Sequence, residues 1–213
     1  MKVLNRFCAI ALLTIAVTAC SSKASLELAD SQSDPAYTQK PAESIAVLAW
    51  YKDDQFETRA LIENAFTAAW RGSGIDAQPG YRFFDRYEGL TEQVEATAAK
   101  LVDAGVDTVV FIDPVRAKDY DPGEYTARRS AYRALGLDSS ATINLINQIA
   151  AEADAAKYVM EVTVWSPSSK SFGWAGTYNI NAPNGYDSEY AKQYSADFAN
   201  EVAEDLRAAG ILK

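Results

Sequence analysis

Residues 45–51 form an unbroken apolar row, Ile45-Ala46-Val47-Leu48-Ala49-Trp50-Tyr51, bounded by Pro41 on one side and Lys52-Asp53-Asp54 on the other. A short run without alternation is the pattern of a strand covered on both faces. The period then changes. Phe56, Leu61, Ile62, Ala65, Phe66, Ala69 and Trp70 recur at helical spacing, and Gly72-Ser73-Gly74 supplies the stop. Tyr81-Arg82-Phe83-Phe84, following Pro79-Gly80, predicts a short second strand. Thr91 caps a second helix whose first turn carries Glu92 and Glu95, well placed against the helix dipole, and Gly105 ends it. Residues 106–112 read as the next strand, broken by Asp113-Pro114.

Two further helices are predicted over 124–135 and 140–155, separated by Gly136 and an Asp138-Ser139-Ser140 capping cluster. Residues 158–165 alternate as a strand, and residues 172–180 form its hairpin partner across Ser166-Pro167-Ser168-Ser169-Lys170. In the last helix Tyr194, Phe198, Val202 and Leu206 repeat every four residues below a Ser188 cap, until Gly210 stops them ahead of Ile211-Leu212. The predicted order is βαβαβααββα. That is an α/β fold, a mixed sheet of about five strands with helices packed on it, the early strands separated by helices and the late ones paired as a hairpin.

The chain before this fold reads differently. Lys2 and Arg6 lead an apolar run over residues 7–17, which ends in Val17-Thr18-Ala19-Cys20. About eleven apolar residues are too few for a permanent span, which needs roughly 20, so the pattern is that of a removable export signal. The plainer alternative is an ordinary secretory signal with an incidental cysteine. Thr18-Ala19-Cys20-Ser21, however, resembles the lipobox of bacterial lipoproteins. That resemblance implies diacylglyceryl transfer to the Cys20 sulfur, cleavage just before it, and usually acylation of the new amine. Each buried methylene contributes about 0.8 kcal/mol and one chain anchors only marginally, so two or three chains on Cys20 hold a protein on a membrane without a spanning helix. Ser21-Ser22 stands where an Asp commonly retains such proteins at the inner membrane. The resemblance therefore implies the outer membrane, with the folded part facing the periplasm.

Three segments follow from this: a signal over 1–19, a lipidated Cys20 with a flexible tether over 20–43, and one periplasmic α/β domain over 44–213. The tether expectation rests on residues 21–43 being rich in Ser, Ala, Asp, Gln and Pro, without a sustained helix or strand period. About 170 residues are enough for one domain with a real core.

Composition narrows the chemistry. Cys8 leaves with the signal and Cys20 takes the lipid, so the mature domain has no thiol for a disulfide, a thiolate metal site or a nucleophile. The chain has no His, which removes the commonest general base, the usual hydrolase triad and imidazole metal sites. Loss of Lys2 and Arg6 takes the formal charge from −9 to −11, a balance that disfavours nucleic acid and broad adhesion to anionic lipid. Gly72-Ser73-Gly74 follows a helix instead of preceding one, so it is not a phosphate loop.

Three constellations remain. Asp53 and Asp54, Asp85, and Asp113 follow three predicted strands; if these are parallel, the carboxylates gather at one sheet edge and can hold Mg²⁺ or Ca²⁺ through oxygen. The plainer reading is helix caps and turns. Tyr125, Arg128, Arg129, Tyr132 and Arg133 make a basic, aromatic helix face, either a protein contact or an ordinary face with a Glu124–Arg128 ion pair. Trp165, Phe172, Trp174, Tyr178 and Tyr186 could stack on sugars or receive a partner strand. As strand residues, though, Phe172, Trp174 and Tyr178 are what one buried face displays.

Element order and lipobox together resemble small α/β domains of envelope lipoproteins: the curli-secretion lipoprotein, the outer-membrane activators of penicillin-binding proteins, and the amino-terminal domain of the Tol-system propeller protein. The resemblance implies a binding or assembly role, and the expectation drawn here is a non-catalytic module for another envelope protein, with no cofactor and no metal. The alternative is a carboxylate-dependent enzyme or metal-binding domain using Asp53, Asp54 and Asp113.

Overall fold

The computed structural model describes residues 25–34, 37, 40–50, 56–85, 93–116, 158–181 and 188–213. The elements in chain order are β1 (Ser25–Ser33), β2 (Ser44–Ala49), α1 (Phe56–Gly72), β3 (Asp76–Pro79), a 3₁₀ turn (Gly80–Arg82), α2 (Val94–Asp103), β4 (Thr108–Arg116), β5 (Tyr158–Ser166), β6 (Ser171–Asn181) and α3 (Ser188–Ala208). The expected α/β class holds, with helices on a mixed sheet. The described strands number six instead of about five, in the order β1-β6-β5-β4-β2-β3. β2 runs parallel to β3 and β4, while β4, β5, β6 and β1 are joined antiparallel. The helices expected over 124–135 and 140–155, and the Thr91 cap, lie outside the described residues.

The apolar row over 45–49 is buried on both faces, as its lack of alternation requires. Ile45, Val47, Val110, Ile112, Val162 and Val164 face one layer, where Ile62, Phe66 and Trp70 of α1 meet Phe198, Val202 and Leu206 of α3. Ala46, Leu48, Val109 and Phe111 face the other, under Ala98 and Leu101 of α2. Each fully buried side chain of this kind contributes about 1.5–3 kcal/mol. The helices stop as their glycines predict. At the end of α1, Gly74 takes φ 83°, its N–H donates to Arg71 O, and the Ile75 N–H reaches back to Trp70 O. This is a Schellman end, in which the left-handed residue lets the next apolar side chain fold onto the helix. Gly105 with Val106 and Gly210 with Ile211 repeat it.

The structure corrects four expectations. Residues 25–33, expected as part of a flexible tether, are strand β1, paired along their length with β6. Leu26 is buried and Leu28 packs against the same layer, while an unpaired Ala29 bulges out between Leu28 and Asp30. Two apolar side chains suffice because the neighbouring strand supplies the hydrogen bonds. The sheet therefore includes residues 25–33, well ahead of the expected start at 44.

The short strand expected over 81–84 lies earlier, at Asp76–Pro79, and residues 80–82 make the 3₁₀ turn. Pro79 is tolerated because β3 is an edge strand. Asp113-Pro114 does not break β4, which continues to Arg116. β2 has ended opposite Ile112, and the Trp50 N–H donates to Ile112 O at 2.6 Å. Peptide groups alternate sides along a strand, so the N–H that Pro114 lacks would point past the end of β2, where no ladder bond is lost.

Finally, Phe172, Trp174 and Tyr178 do not share one face. Trp165 pairs with Phe172 while Val164 pairs with Trp174, leaving Gly173 as an extra residue. That bulge sends Phe172 to the α2 side and leaves Trp174 and Tyr178 on the α1–α3 side.

Candidate functional site

The carboxyl ends of β3, β2 and β4 share one edge of the sheet, the place where open α/β sheets commonly bind ligands. The condition for gathering the acidic residues is thus met by strand direction. Asp53 and Asp54 lie outside the described residues. Asp85 sits in an exposed bend after the 3₁₀ turn, and its backbone oxygen accepts a hydrogen bond from Arg59 Nη2 at 3.0 Å. Asp113 is only 3% exposed and lies within β4, directly opposite Glu161 of β5. By strand alternation it points to the face of Val109 and Phe111, not out of the strand end. Of the predicted acidic set, the described residues therefore place one member in a turn and one inside the sheet. Among the described residues no group of three or more Cys, Asp or Glu side chains is placed to hold a metal ion.

A charged residue that the sequence reading passed over organises this edge. Glu63 is wholly buried on α1, where its Oε1 accepts from the Ala49 N–H at 3.0 Å and its Oε2 from the Tyr81 N–H at 2.9 Å. One carboxylate thereby fixes the end of β2 to the 3₁₀ turn after β3. Arg59, one helical turn earlier and 1% exposed, lies over the Phe56 ring with its guanidinium carbon 4.8 Å from the centroid. The signal was present: Arg59, Ile62, Glu63, Phe66 and Trp70 fall on one buried stripe at helical spacing. Counting only the apolar members of that stripe hides its two charges. Glu63 accepts from two backbone N–H groups and Arg59 donates to a backbone oxygen, so the pair ties the end of β2 to the segment that follows β3.

The hairpin aromatics are core. Trp165, Phe172, Trp174 and Tyr178 are each at most 5% exposed; Tyr186 lies outside the described residues. The Trp174 ring lies over Gly176, where a Cβ would collide with it. Tyr178 donates to Asp205 Oδ2 at 2.9 Å, and burial, followed by the nearby Asp205 charge, pushes its hydroxyl well above the usual tyrosine range. No stacking platform for sugars is exposed by these four side chains. The basic helix face with Tyr125, Arg128, Arg129, Tyr132 and Arg133 lies outside the described residues, as does Cys20. Among the described residues, no helix is long and apolar enough to cross a membrane.

No protein-family model matches the chain, and no curated protein matches it. Among solved structures it is similar to the PelC dodecamer from Paraburkholderia phytofirmans, at 10% identity and a TM-score of 0.38, over 82% of this chain and 94% of that one. A single-substitution variant of the same dodecamer gives the same values.

Proposed function

We propose that this protein is a lipid-anchored lipoprotein of the cell envelope, whose periplasmic α/β domain is a non-catalytic binding or assembly module for another envelope component. The observation that carries the reading is the amino-terminal sequence: Lys2 and Arg6, an apolar run, then Thr18-Ala19-Cys20-Ser21. Support for a non-catalytic role comes from the absence of His and of any thiol beyond Cys8 and Cys20. It comes also from the burial of the aromatic hairpin. Ser21-Ser22 after the modified cysteine favours the outer membrane, with the domain facing the periplasm.

Growing cells on a clickable palmitate analogue tests this directly. The purified protein should carry label, and Cys20→Ala should lose both the label and the membrane fraction. An unlabelled product that fractionates like Cys20→Ala would overturn the reading. Cross-linking in intact cells followed by mass spectrometry should then recover a reproducible envelope protein, and recovery of none would remove the assembly role.

A further inference from the structure

Only Ser21, Ser22, Lys23 and Ala24 stand between Cys20 and the first residue of β1. An extended chain spans at most about 3.3–3.6 Å per residue, so from Cys20 to Ser25 the reach is roughly 17 Å. A tether running to residue 43 would have reached roughly 80 Å on the same measure. The folding of residues 25–33 into the sheet therefore changes the geometry of the whole anchored protein.

Where the short tether joins is equally defined. Ser25 lies opposite Asn181 at the end of β6; the adjacent Ile180 lies opposite Tyr158, the start of β5, and Tyr158 lies opposite Arg116, the end of β4. The anchor thus enters at one end of the strands. β5, nine residues long, extends away from it by about 27 Å at roughly 3.3 Å per residue. The β5–β6 turn and the carboxyl ends of α1 and α2 all lie at the far end, since each of these helices runs back from the near end before feeding a strand that starts at the far one.

We infer that the domain is held against the phospholipid surface in one orientation, with the ends of β4 and β6 and the starts of β1 and β5 toward the bilayer and the β5–β6 turn pointing away. This rests on lipidation at Cys20. Lying on the β1 edge instead would press the exposed Glu27 and Asp30 toward the headgroups, which an anionic surface opposes. With a mature balance of −11, attraction to such a surface does not contribute; the tether sets which end faces it, and repulsion opposes the edge-on pose. The far end is then what a partner coming from elsewhere in the envelope meets first.

Because the lipid occupies Cys20, a new cysteine is the only free thiol of the mature protein, so one fluorophore can be placed at a chosen site. Full-length protein purified from membranes is labelled as Ser25→Cys, Ser73→Cys or Ser169→Cys and reconstituted in vesicles of phosphatidylcholine and phosphatidylglycerol carrying a short-range nitroxide headgroup quencher. Quenching at position 25 should exceed that at 73 and 169 several-fold. Inserting twenty Gly and Ser residues between Ala24 and Ser25 should abolish the difference. Equal quenching at the three sites with the native tether, or an insertion without effect, overturns the orientation. Protein that fails to float with the vesicles instead overturns lipidation itself, so the two failures are separable.

Discussion

The indole Nε1–H of Trp70 donates to the backbone oxygen of Ala199 at 2.7 Å, joining α1 to α3 across 129 positions of sequence. Both residues are fully buried, so the bond forms where water cannot replace it. Trp70→Phe keeps an aromatic ring but removes the donor and part of the volume. It is expected to cost roughly 1–3 kcal/mol in chemical denaturation. A value indistinguishable from wild type would mean that α1 and α3 are held by apolar packing alone.

Gly176 leaves room for the Trp174 ring, and a Cβ there would approach it far more closely than real Cβ atoms do. Gly176→Ala must therefore turn a buried indole out of its place, at an expected cost of about 1–3 kcal/mol. The control is Gly72→Ala at the end of α1, where a Cβ meets nothing within 4 Å. That variant should be neutral, or more stable by up to about 1 kcal/mol. Thermal unfolding of the pair reads both signs in one experiment.

β1 is held by Leu26 and Leu28 on one side and by its ladder to β6. Leu26→Asp places a charge where the native side chain is 9% exposed, and it should free the strand without unfolding the α1–α3 layer. Limited proteolysis is expected to cut within 25–33 in the variant and not in the parent, with helical circular dichroism retained. Joint loss of both would show that β1 and the rest of the sheet fold as one unit.

The acidic sheet-edge alternative makes its own forecast. Calorimetry with Mg²⁺ or Ca²⁺ should show no tight binding, and neutralising Asp53, Asp54 and Asp113 together with Asn should leave envelope function intact. Tight cation binding that disappears in the triple variant would reverse the preference between the two readings.

On α3, burial raises the Glu201 carboxyl above its usual range, and the neighbouring Asp197, Asp205 and Glu204 add repulsion in the same direction. A carboxyl raised by folding favours the fold when protonated. Its contribution is complete below the ordinary value of 4.5 and is lost as pH climbs through the raised one. Glu201→Gln, which resembles the protonated form at every pH, should match wild type at about pH 4 and unfold at a higher temperature near neutrality. Melting curves at the two pH values check this, and a variant no more stable at neutrality would remove the repulsion argument.

Some of this architecture was legible along the chain and some was not, for reasons visible in particular residues. The doubly buried row at 45–49, the β5–β6 hairpin and the glycine ends of the helices are written in neighbouring side chains, because strand burial, turns and helix stops are decided within a few residues. The resemblance of Thr18-Ala19-Cys20-Ser21 to a lipobox is a matter of sequence alone. β1 was hidden because what makes it a strand is β6, whose side of the ladder lies some 150 positions away. Its own two leucines carry too little pattern to reveal it. Pro114 could remain in β4 only because β2 stops short of it. The face taken by Phe172 depended on one bulged glycine, and the clamp made by Glu63 needed the ends of two other elements to come within reach. Local chemistry thus specifies which segments become helix or strand, whereas pairing partners, bulges and buried charges exist only once distant segments meet.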